Sequence, residues 1–390
     1  MKRLTLLVLL FFSLSLTSYA KPEEVLLETD LTSTYQVTLS DSKNQPPEKT
    51  LREKLSDIYH LEVDYIDKPT FLMSNILTKK FEANSKLERL QLWGSYSGDT
   101  CFNFINNEKF STNYNFSYIN VGIDGKLQDN VADFRLMLNI SPLSSRNFAQ
   151  ALFADVYVAT NKIPNHRILI GNTRPPVGME GGYSPFLLPF VARSQIARNF
   201  GSVRKLGTRI KGLYPLFDYD IGMYSSDTYF KEFFPGTEFV AWMNFKPLGL
   251  TDGKYGKLTL GGGVQTGQRS NDYTVSGAYI GYEYKKWLLN FEYANANGYN
   301  GPIGHSIDKH ATGLYSTLAY RVTPKLQALI RYDELNPDKN FSNSKNKEYS
   351  AGINYFIKGQ ALKLILNYVF CENTNNEHSH RLILGTQILL

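Results

Sequence analysis

Polar and apolar positions alternate in segments of about ten residues along most of the chain, from residue 88 to residue 390. Alternation of this length is typical of strands with one lipid-facing side and one water-facing side. We count 16 segments, at 88–98, 113–126, 131–142, 149–160, 166–175, 206–215, 217–226, 237–248, 256–268, 273–284, 287–297, 311–322, 326–336, 348–358, 362–371 and 381–390. The pattern predicts an all-β fold, a 16-stranded antiparallel transmembrane β-barrel.

The connections between these segments alternate in length. Five short ones fall at one end of the predicted barrel, at 128–130, 162–165, 285–286, 323–325 and 359–361. Six longer ones fall at the other end, at 99–112, 176–205, 227–236, 298–310, 337–347 and 372–380. Outer-membrane barrels have short periplasmic turns and longer outer loops. We therefore expect the short connections, and both chain termini, on the periplasmic side.

Within single strands, the pattern shows which side chains face lipid and which face the lumen. Alternation places Leu366 and Tyr368 toward lipid, and places Lys363 and Asn367 toward the lumen. A sheet in lipid must close on itself to satisfy its backbone polar groups. Sixteen strands enclose more space than their side chains fill, so the pattern predicts an aqueous channel.

The beginning of the chain differs from the rest. Residues 1–20 have a basic start, an apolar run and a small-residue cleavage pattern, which predicts a signal peptide for export. Residues 21–87 are charged, and we interpret them as a periplasmic extension, a segment inside the pore or a disordered leader. The domain prediction is therefore a signal peptide (1–20), this segment (21–87) and a barrel domain (88–390).

Composition changes this picture little. Aromatic residues make up 14% of the chain, which suits the membrane–water boundary, whereas a mean hydropathy of −0.29 is uninformative for strands that hide apolar residues at alternate positions. The net charge of +6 is too small to indicate nucleic acid as a partner. We expect no cofactor and no metal site.

Several segments between about residues 100 and 390 carry motifs of a known kind. They are Arg167-Ile-Leu-Ile-Gly-Asn-Thr-Arg-Pro-Pro-Val-Gly-Met-Glu180, Tyr279-Ile-Gly-Tyr-Glu-Tyr284 with Trp287, Phe291-Glu-Tyr-Ala294, Gly313-Leu-Tyr315, Ala319-Tyr-Arg-Val-Thr-Pro-Lys-Leu326, Ile330-Arg-Tyr-Asp-Glu-Leu-Asn-Pro-Asp338, Gly352-Ile-Asn-Tyr-Phe356 and Leu362-Lys-Leu-Ile-Leu-Asn-Tyr368. Together these segments resemble the phosphate-selective porin O and P family of outer-membrane channels. The resemblance implies a bacterial outer-membrane porin, a homotrimer, with its third outer loop folded into the pore. Family members typically end on Phe, whereas this chain ends on Leu390, which fits a looser signal for the barrel-assembly machinery.

The third outer loop, 176–205, is rich in cations. It carries Arg193, Arg198, Arg204 and Lys205 against the single acid Glu180. Cations that line a constriction favour anions, and the planar fork of arginine suits phosphate. Further candidates for the lumen, by strand alternation, are Arg209, Lys211, Arg135, Arg331 and Lys363. The alternative is that the loop cations are solvated, or bind lipopolysaccharide phosphates at the outer rim.

Two other features of the sequence carry hypotheses. The apolar run Phe186-Leu-Leu-Pro-Phe190 would pin the loop to the wall, or, as an alternative, would form a slide for sugars. Cys101 and Cys371 each follow a strand that rises toward the outside, and a disulfide between them at the closure seam is one expectation, two free thiols the other.

Three classes of function remain open. The first is a passive porin in the outer membrane, in contact with lipid and lipopolysaccharide, that passes small hydrophilic solutes and favours anions such as phosphate. The second is a structural or adhesin barrel plugged by residues 21–87. The third, an outer-membrane barrel enzyme, is disfavoured because the six His residues form no convincing set with Ser and an acid at the barrel rim.

Overall fold

A computed structural model describes residues 71–106, 109–141, 152–201, 203–226, 234–299, 309–341, 344–373 and 377–390. The predicted signal peptide lies outside the described residues, as does residue 21 to residue 70 of the following segment. No helix among the described residues is both long enough and apolar enough to cross a membrane.

The described chain is almost entirely β-structure. The strands are β1 (Thr78–Lys80), β2 (Leu87–Ile105), β3 (Lys109–Leu127), β4 (Asp133–Asn139), β5 (Phe153–Thr160), β6 (His166–Thr173), β7 (Lys205–Leu213), β8 (Phe217–Ser225), β9 (Thr237–Phe245), β10 (Lys257–Gln268), β11 (Asp272–Tyr284), β12 (Trp287–Asn297), β13 (His310–Thr323), β14 (Leu326–Asn336), β15 (Asn346–Lys358), β16 (Leu362–Glu372) and β17 (His378–Leu389). Three short helices accompany them, α1 (Ser74–Leu77), α2 (Gly178–Gly181) and α3 (Gln195–Phe200).

Strands β2 to β17 form one closed antiparallel barrel. Each strand pairs with its neighbours in the sequence, and β17 pairs with β2 from Ser379↔Ile105 to Leu389↔Ser95 to complete the ring. The predicted 16-stranded antiparallel barrel is therefore confirmed. The extra strand β1 pairs with the start of β2, at residues 89–91, just beyond the point where β17 ends.

The first hairpin differs from the prediction. The segment 99–112 was expected to be a loop, but β2 and β3 each run for 19 residues and continue their ladder through most of it. Backbone hydrogen bonds between the two strands stabilise this extension. Beyond the membrane no side of the strands faces lipid, so polar and apolar residues need not alternate there. A hydropathy criterion therefore ends the strands too early.

Burial confirms the facing that alternation predicts. Lys363 and Asn367 on β16 are each 1% exposed, whereas Leu366 and Tyr368 between and beside them are 37% and 43% exposed. The same alternation brings Arg135, Arg331 and Arg209 to the inner side, each of them buried. Exposed apolar side chains thus form the outer wall, and the polar residues between them face inward.

We call the two ends of the barrel by their connections. The short-turn end holds 128–132, 161–165, 214–216, 246–256, 285–286, 324–325 and 359–361, and the long-loop end holds the others. Tight turns at the short-turn end need positive φ, which Asp129, Asn165 and Gly359 supply at little steric cost. The connection 246–256 is an exception in length, and it is folded by its own turns, such as Gly249 N–H donating to the Lys246 carbonyl at 2.9 Å.

Candidate functional site

The segment 174–204, between β6 and β7, lies against the inner wall of the barrel. Three of its backbone N–H groups donate to wall side chains, in each case a side chain on the buried side of its strand. Met179 donates to Glu292 Oε1 at 3.1 Å, Val191 to Asn367 Oδ1 at 3.0 Å and Gln195 to Asp333 Oδ2 at 2.8 Å. The acceptors belong to β12, β16 and β14, so the segment, which we call the inner loop, crosses the barrel interior.

Wall side chains also donate to the inner loop's carbonyls. Lys363 Nζ donates to Leu188 O at 3.2 Å, Asn354 Nδ2 to Pro189 O at 2.8 Å and Gln387 Nε2 to Phe186 O at 3.1 Å. Irregular backbone at membrane depth is tolerated only where protein or water satisfies its polar groups. These contacts give the loop's carbonyl groups hydrogen-bond donors from the wall. Lys363 therefore helps to hold the loop in place.

Three glycines of the inner wall make room for the inner loop. A Cβ at Gly313 would lie 2.7 Å from Ile196, one at Gly385 2.7 Å from Val191 and one at Gly281 2.9 Å from Met179. Any side chain at these positions would occupy the space of a loop residue. The glycines of the wall therefore leave space that side chains of the inner loop fill.

Apolar packing completes the attachment. Phe186, Leu188 and Phe190 are each at most 4% exposed, and Phe190 packs with Ala319 and Leu329 of the wall. The guanidinium of Arg331 lies 4.5 Å from the centroid of the Phe190 ring. This packing agrees with the pinning role of the apolar run. Rings buried to this extent offer no face along which a sugar could slide.

Glu180 lies at the centre of the loop's polar contacts. Its Oε2 accepts from Ser194 N–H at 2.6 Å, and its Oε1 accepts from Arg331 Nη2. Arg193, predicted to face the pore, donates through Nη2 to Tyr183 O at 2.5 Å and through Nη1 to Glu180 O. Arg193 is 7% exposed, so much of its hydrogen-bonding capacity serves the loop itself.

Most of the cations predicted from the sequence have a carboxylate partner, which the sequence did not reveal. The pairs are Arg198–Glu348 at 2.7 Å, Arg204–Asp155 at 2.6 Å, Lys205–Glu238, Arg209–Asp220, with Nε to Oδ1 at 3.0 Å, Arg331–Glu180 and Arg135–Asp124 at 2.8 Å. Lys211 lies opposite Asp220 in the ladder between β7 and β8. A cation that is paired with a carboxylate contributes little to the electrostatic potential around it. The net positive charge of the loop is therefore lower than the number of its arginines and lysines indicates.

Three arginines cluster where the inner loop joins the wall. Arg174, Arg193 and Arg204 lie close enough together for their charges to repel one another. Asp155, which pairs with Arg204, Glu180 and the Tyr118 side chain lie close enough to act in the opposite direction. Arg174 was not among the predicted site residues, because the strand pattern placed it within the segment 166–175. Its position directly before the loop was the signal that could have identified it.

The two cysteines are free thiols, and the disulfide expected at the seam is absent from the structure. Cys371 on β16 pairs with Ser379 of β17, and Ser379 pairs in turn with Ile105 of β2, four positions beyond Cys101. The two cysteines are thus separated by an intervening strand and by about 13 Å along the strand direction. A disulfide needs Cα atoms less than about 7 Å apart. Cys371 Sγ instead accepts from Arg381 Nη2 at 2.8 Å.

A closed 16-stranded barrel with an apolar exterior, a polar interior and a loop across its lumen defines an outer-membrane channel protein. Residues 250–389 match the model of the family described as phosphate-selective porin O and P. The resemblance that the sequence motifs indicate is therefore confirmed over these residues. The fold and this match together indicate a channel rather than an enzyme.

Solved structures of porins share the fold at low sequence identity. The outer membrane channel DcaP of Acinetobacter baumannii has a TM-score of 0.57 and 14% identity, with 80% of this chain and 100% of that chain covered. An anion-selective porin from Comamonas acidovorans has a TM-score of 0.55 and 13% identity, covering 77% and 99%. OmpT of Vibrio cholerae, in a structure described as a trimer form, has a TM-score of 0.52 and 11% identity, covering 77% and 99%. No curated protein matches the sequence.

Proposed function

We propose that this protein is a passive outer-membrane channel for small hydrophilic solutes, and that it favours anions. The observation that carries the proposal is the cluster of Arg174, Arg193 and Arg204 where the inner loop joins the wall. Fixed cations in a narrow, low-dielectric passage raise the local concentration of anions and exclude cations. The description of the Comamonas acidovorans structure as anion-selective agrees with this direction.

Phosphate is the particular anion that the family description points to. Arginine binds phosphate well because its planar guanidinium donates two parallel hydrogen bonds. In this chain, however, the carboxylates Asp155, Glu348 and Glu238 neutralise neighbouring cations. General anion preference is therefore the proposal, and phosphate is one of the anions that the channel passes.

The reversal potential of the purified protein in a planar bilayer under a KCl gradient tests the proposal. We expect an anion-selective sign, reduced selectivity in Arg174→Gln and a block of the current when phosphate is added. Lys339→Gln is the matched control, since Lys339 is an exposed lysine at the long-loop end. A cation-selective sign, or equal selectivity in Arg174→Gln and the unaltered protein, would contradict the assignment.

A plugged barrel is the second candidate, and one contact favours it. Phe71, the first described residue, is 6% exposed and its ring centroid lies 5.2 Å from that of Trp93 on the inner wall. The Leu72 N–H donates to Leu389 O at 2.9 Å. Phe71 and Leu72 therefore contact the barrel at the inner side of the short-turn end. Deleting residues 21–70 would raise the conductance of a plugged barrel and leave that of an open channel unchanged.

We also propose that the chain is exported with cleavage after Ala20, is inserted by the barrel-assembly machinery and forms a homotrimer. The trimer form described for the Vibrio cholerae structure supports the last point. The intact mass of the protein from the outer-membrane fraction tests the first, with a mature chain that begins at Lys21 as the expected result. Migration on a gel with and without heating tests the assembly.

A further inference from the structure

Exposed lysines are concentrated at the short-turn end of the barrel. They are Lys79, Lys80, Lys86, Lys162, Lys254, Lys257, Lys285, Lys286, Lys325 and Lys358. Among the described residues of this end, the exposed carboxylates are Glu82, Asp129 and Asp252. The short-turn end therefore carries a strong excess of positive charge toward its surroundings.

Apart from Lys257, which lies opposite Glu283 in the ladder between β10 and β11, these lysines have no carboxylate partner within the described part of the chain. Two lysines of the opposite end do have one. At the long-loop end, Lys345 pairs with Glu334 at 2.8 Å and Lys309 lies 3.9 Å from Asp338. At the short-turn end, the ion pairs Lys126–Glu88 and Lys246–Asp218 involve half-buried lysines rather than the exposed ones. The other nine exposed lysines of this end thus have no carboxylate that neutralises them among the described residues.

Their arrangement is a ring. Strand β1, the turns after β5, β9, β11 and β13, and the last residue of β15 each supply at least one exposed lysine, so the positive charge follows the circumference of the barrel. A protein partner would cover one side of such a ring. A lipid leaflet contacts all of it.

The ring also lies at the depth of lipid headgroups. Trp287, 51% exposed, begins β12 directly after Lys285 and Lys286, and its ring centroid lies 4.5 Å from that of Tyr320. Lys285 Nζ lies 5.0 Å from the centroid of the Tyr284 ring, and Lys254 Nζ lies 5.3 Å from that of Tyr255. Exposed Trp and Tyr mark the membrane interface, where long lysine side chains reach the headgroups.

We propose that this lysine ring binds anionic phospholipid headgroups in the leaflet next to the short turns. The lipid phosphates would neutralise the positive charge of the ring. The aromatic side chains between the lysines would lie at the boundary between headgroups and acyl chains. A lysine near an anionic membrane surface contributes about 1 kcal/mol, which corresponds to about a fivefold preference. The binding fixes the vertical position of the barrel in the membrane, independently of what passes through its lumen.

The chain provides its own reporter for a test. Of the three tryptophans, Trp93 and Trp242 are buried at 3% and 4% exposure, so quenchers in lipid chains act on Trp287. The protein is reconstituted into phosphatidylcholine vesicles that contain equal fractions of either brominated phosphatidylglycerol or brominated phosphatidylcholine. The relative binding constant of the two lipids follows from the quenching of fluorescence.

We expect phosphatidylglycerol to be preferred by about fivefold or more, and the preference to fall as salt is added. Lys285→Gln with Lys286→Gln should bring the ratio close to one. Lys109→Gln with Lys339→Gln, which removes two exposed lysines of the long-loop end, should leave it unchanged. Equal quenching by the two lipids in the unaltered protein would overturn the proposal, as would a preference that survives in the Lys285 and Lys286 variant.

Discussion

Arg331 on β14 donates to Glu180 in the inner loop, 151 positions away in the chain, and both side chains are at most 4% exposed. The pair joins the loop to the wall at a point where Glu180 also accepts from Ser194 N–H. A buried charge whose partner is removed is strongly destabilising, whereas an exposed pair contributes little. The attachment of the loop therefore depends on this contact.

Replacing the arginine tests that dependence. Arg331→Met should destabilise the folded barrel by about 3–5 kcal/mol, because Glu180 is left buried and unpaired. Guanidinium unfolding from vesicles, followed by tryptophan fluorescence, measures the change. Lys345→Met is the control, since it removes an exposed partner of Glu334 and should cost at most about 1 kcal/mol. Equal effects of the two substitutions would show that the Glu180 contact is not structural.

Glu348 pairs with two arginines, one in the inner loop and one on β17. It accepts from Arg198 Nη2 and from Arg381 Nη2, each at 2.7 Å. Glu348→Gln removes a negative charge and should increase anion selectivity. A unit charge roughly 8 Å from a permeating ion in water contributes about 0.5 kcal/mol, or roughly twofold for each ion. The reversal potential under a KCl gradient measures the shift, with Glu377→Gln at the exposed long-loop end as the control. No shift in Glu348→Gln would place the two arginines away from the ion path.

Gly313 tests whether the wall is shaped to the loop. A leucine at this position would overlap Ile196 of α3, and overpacking of this kind costs about 1–3 kcal/mol. We expect Gly313→Leu to displace the inner loop and to make the single-channel current larger or noisier. Gly94→Ala is the control, because the nearest atom to the added Cβ lies 3.8 Å away. A current in Gly313→Leu identical to that of the control would mean that the loop does not limit conduction.

The thiols give a chemical test of the strand order. Alkylation of the protein after denaturation without reductant should add two groups, one at Cys101 and one at Cys371, because both thiols are free. Mass spectrometry counts the additions. Omitting the denaturant should lower the count, since both side chains are at most 8% exposed. A mass without any addition would indicate a disulfide and would contradict the register in which β17 separates the two strands.

The sequence by itself determined the barrel and its facing. Alternation is a local property with a period of two residues, so it assigns Leu366 outward and Asn367 inward without knowledge of the rest of the chain. Connection lengths likewise separate the two ends, and the composition of 176–205 marks it as the cation-rich loop. These features depend on neighbours in the sequence, and they can be predicted from it.

The tertiary structure alone decided how the charges are used. Arg198 meets Glu348 across 150 positions and Lys205 meets Glu238 across 33, so no local pattern shows that these cations are neutralised. The strand register likewise decides that Cys101 and Cys371 lie apart although both lie near the seam. Pairing between distant strands sets which charge faces which, because an ion pair depends on distance in space and the sequence records only distance along the chain.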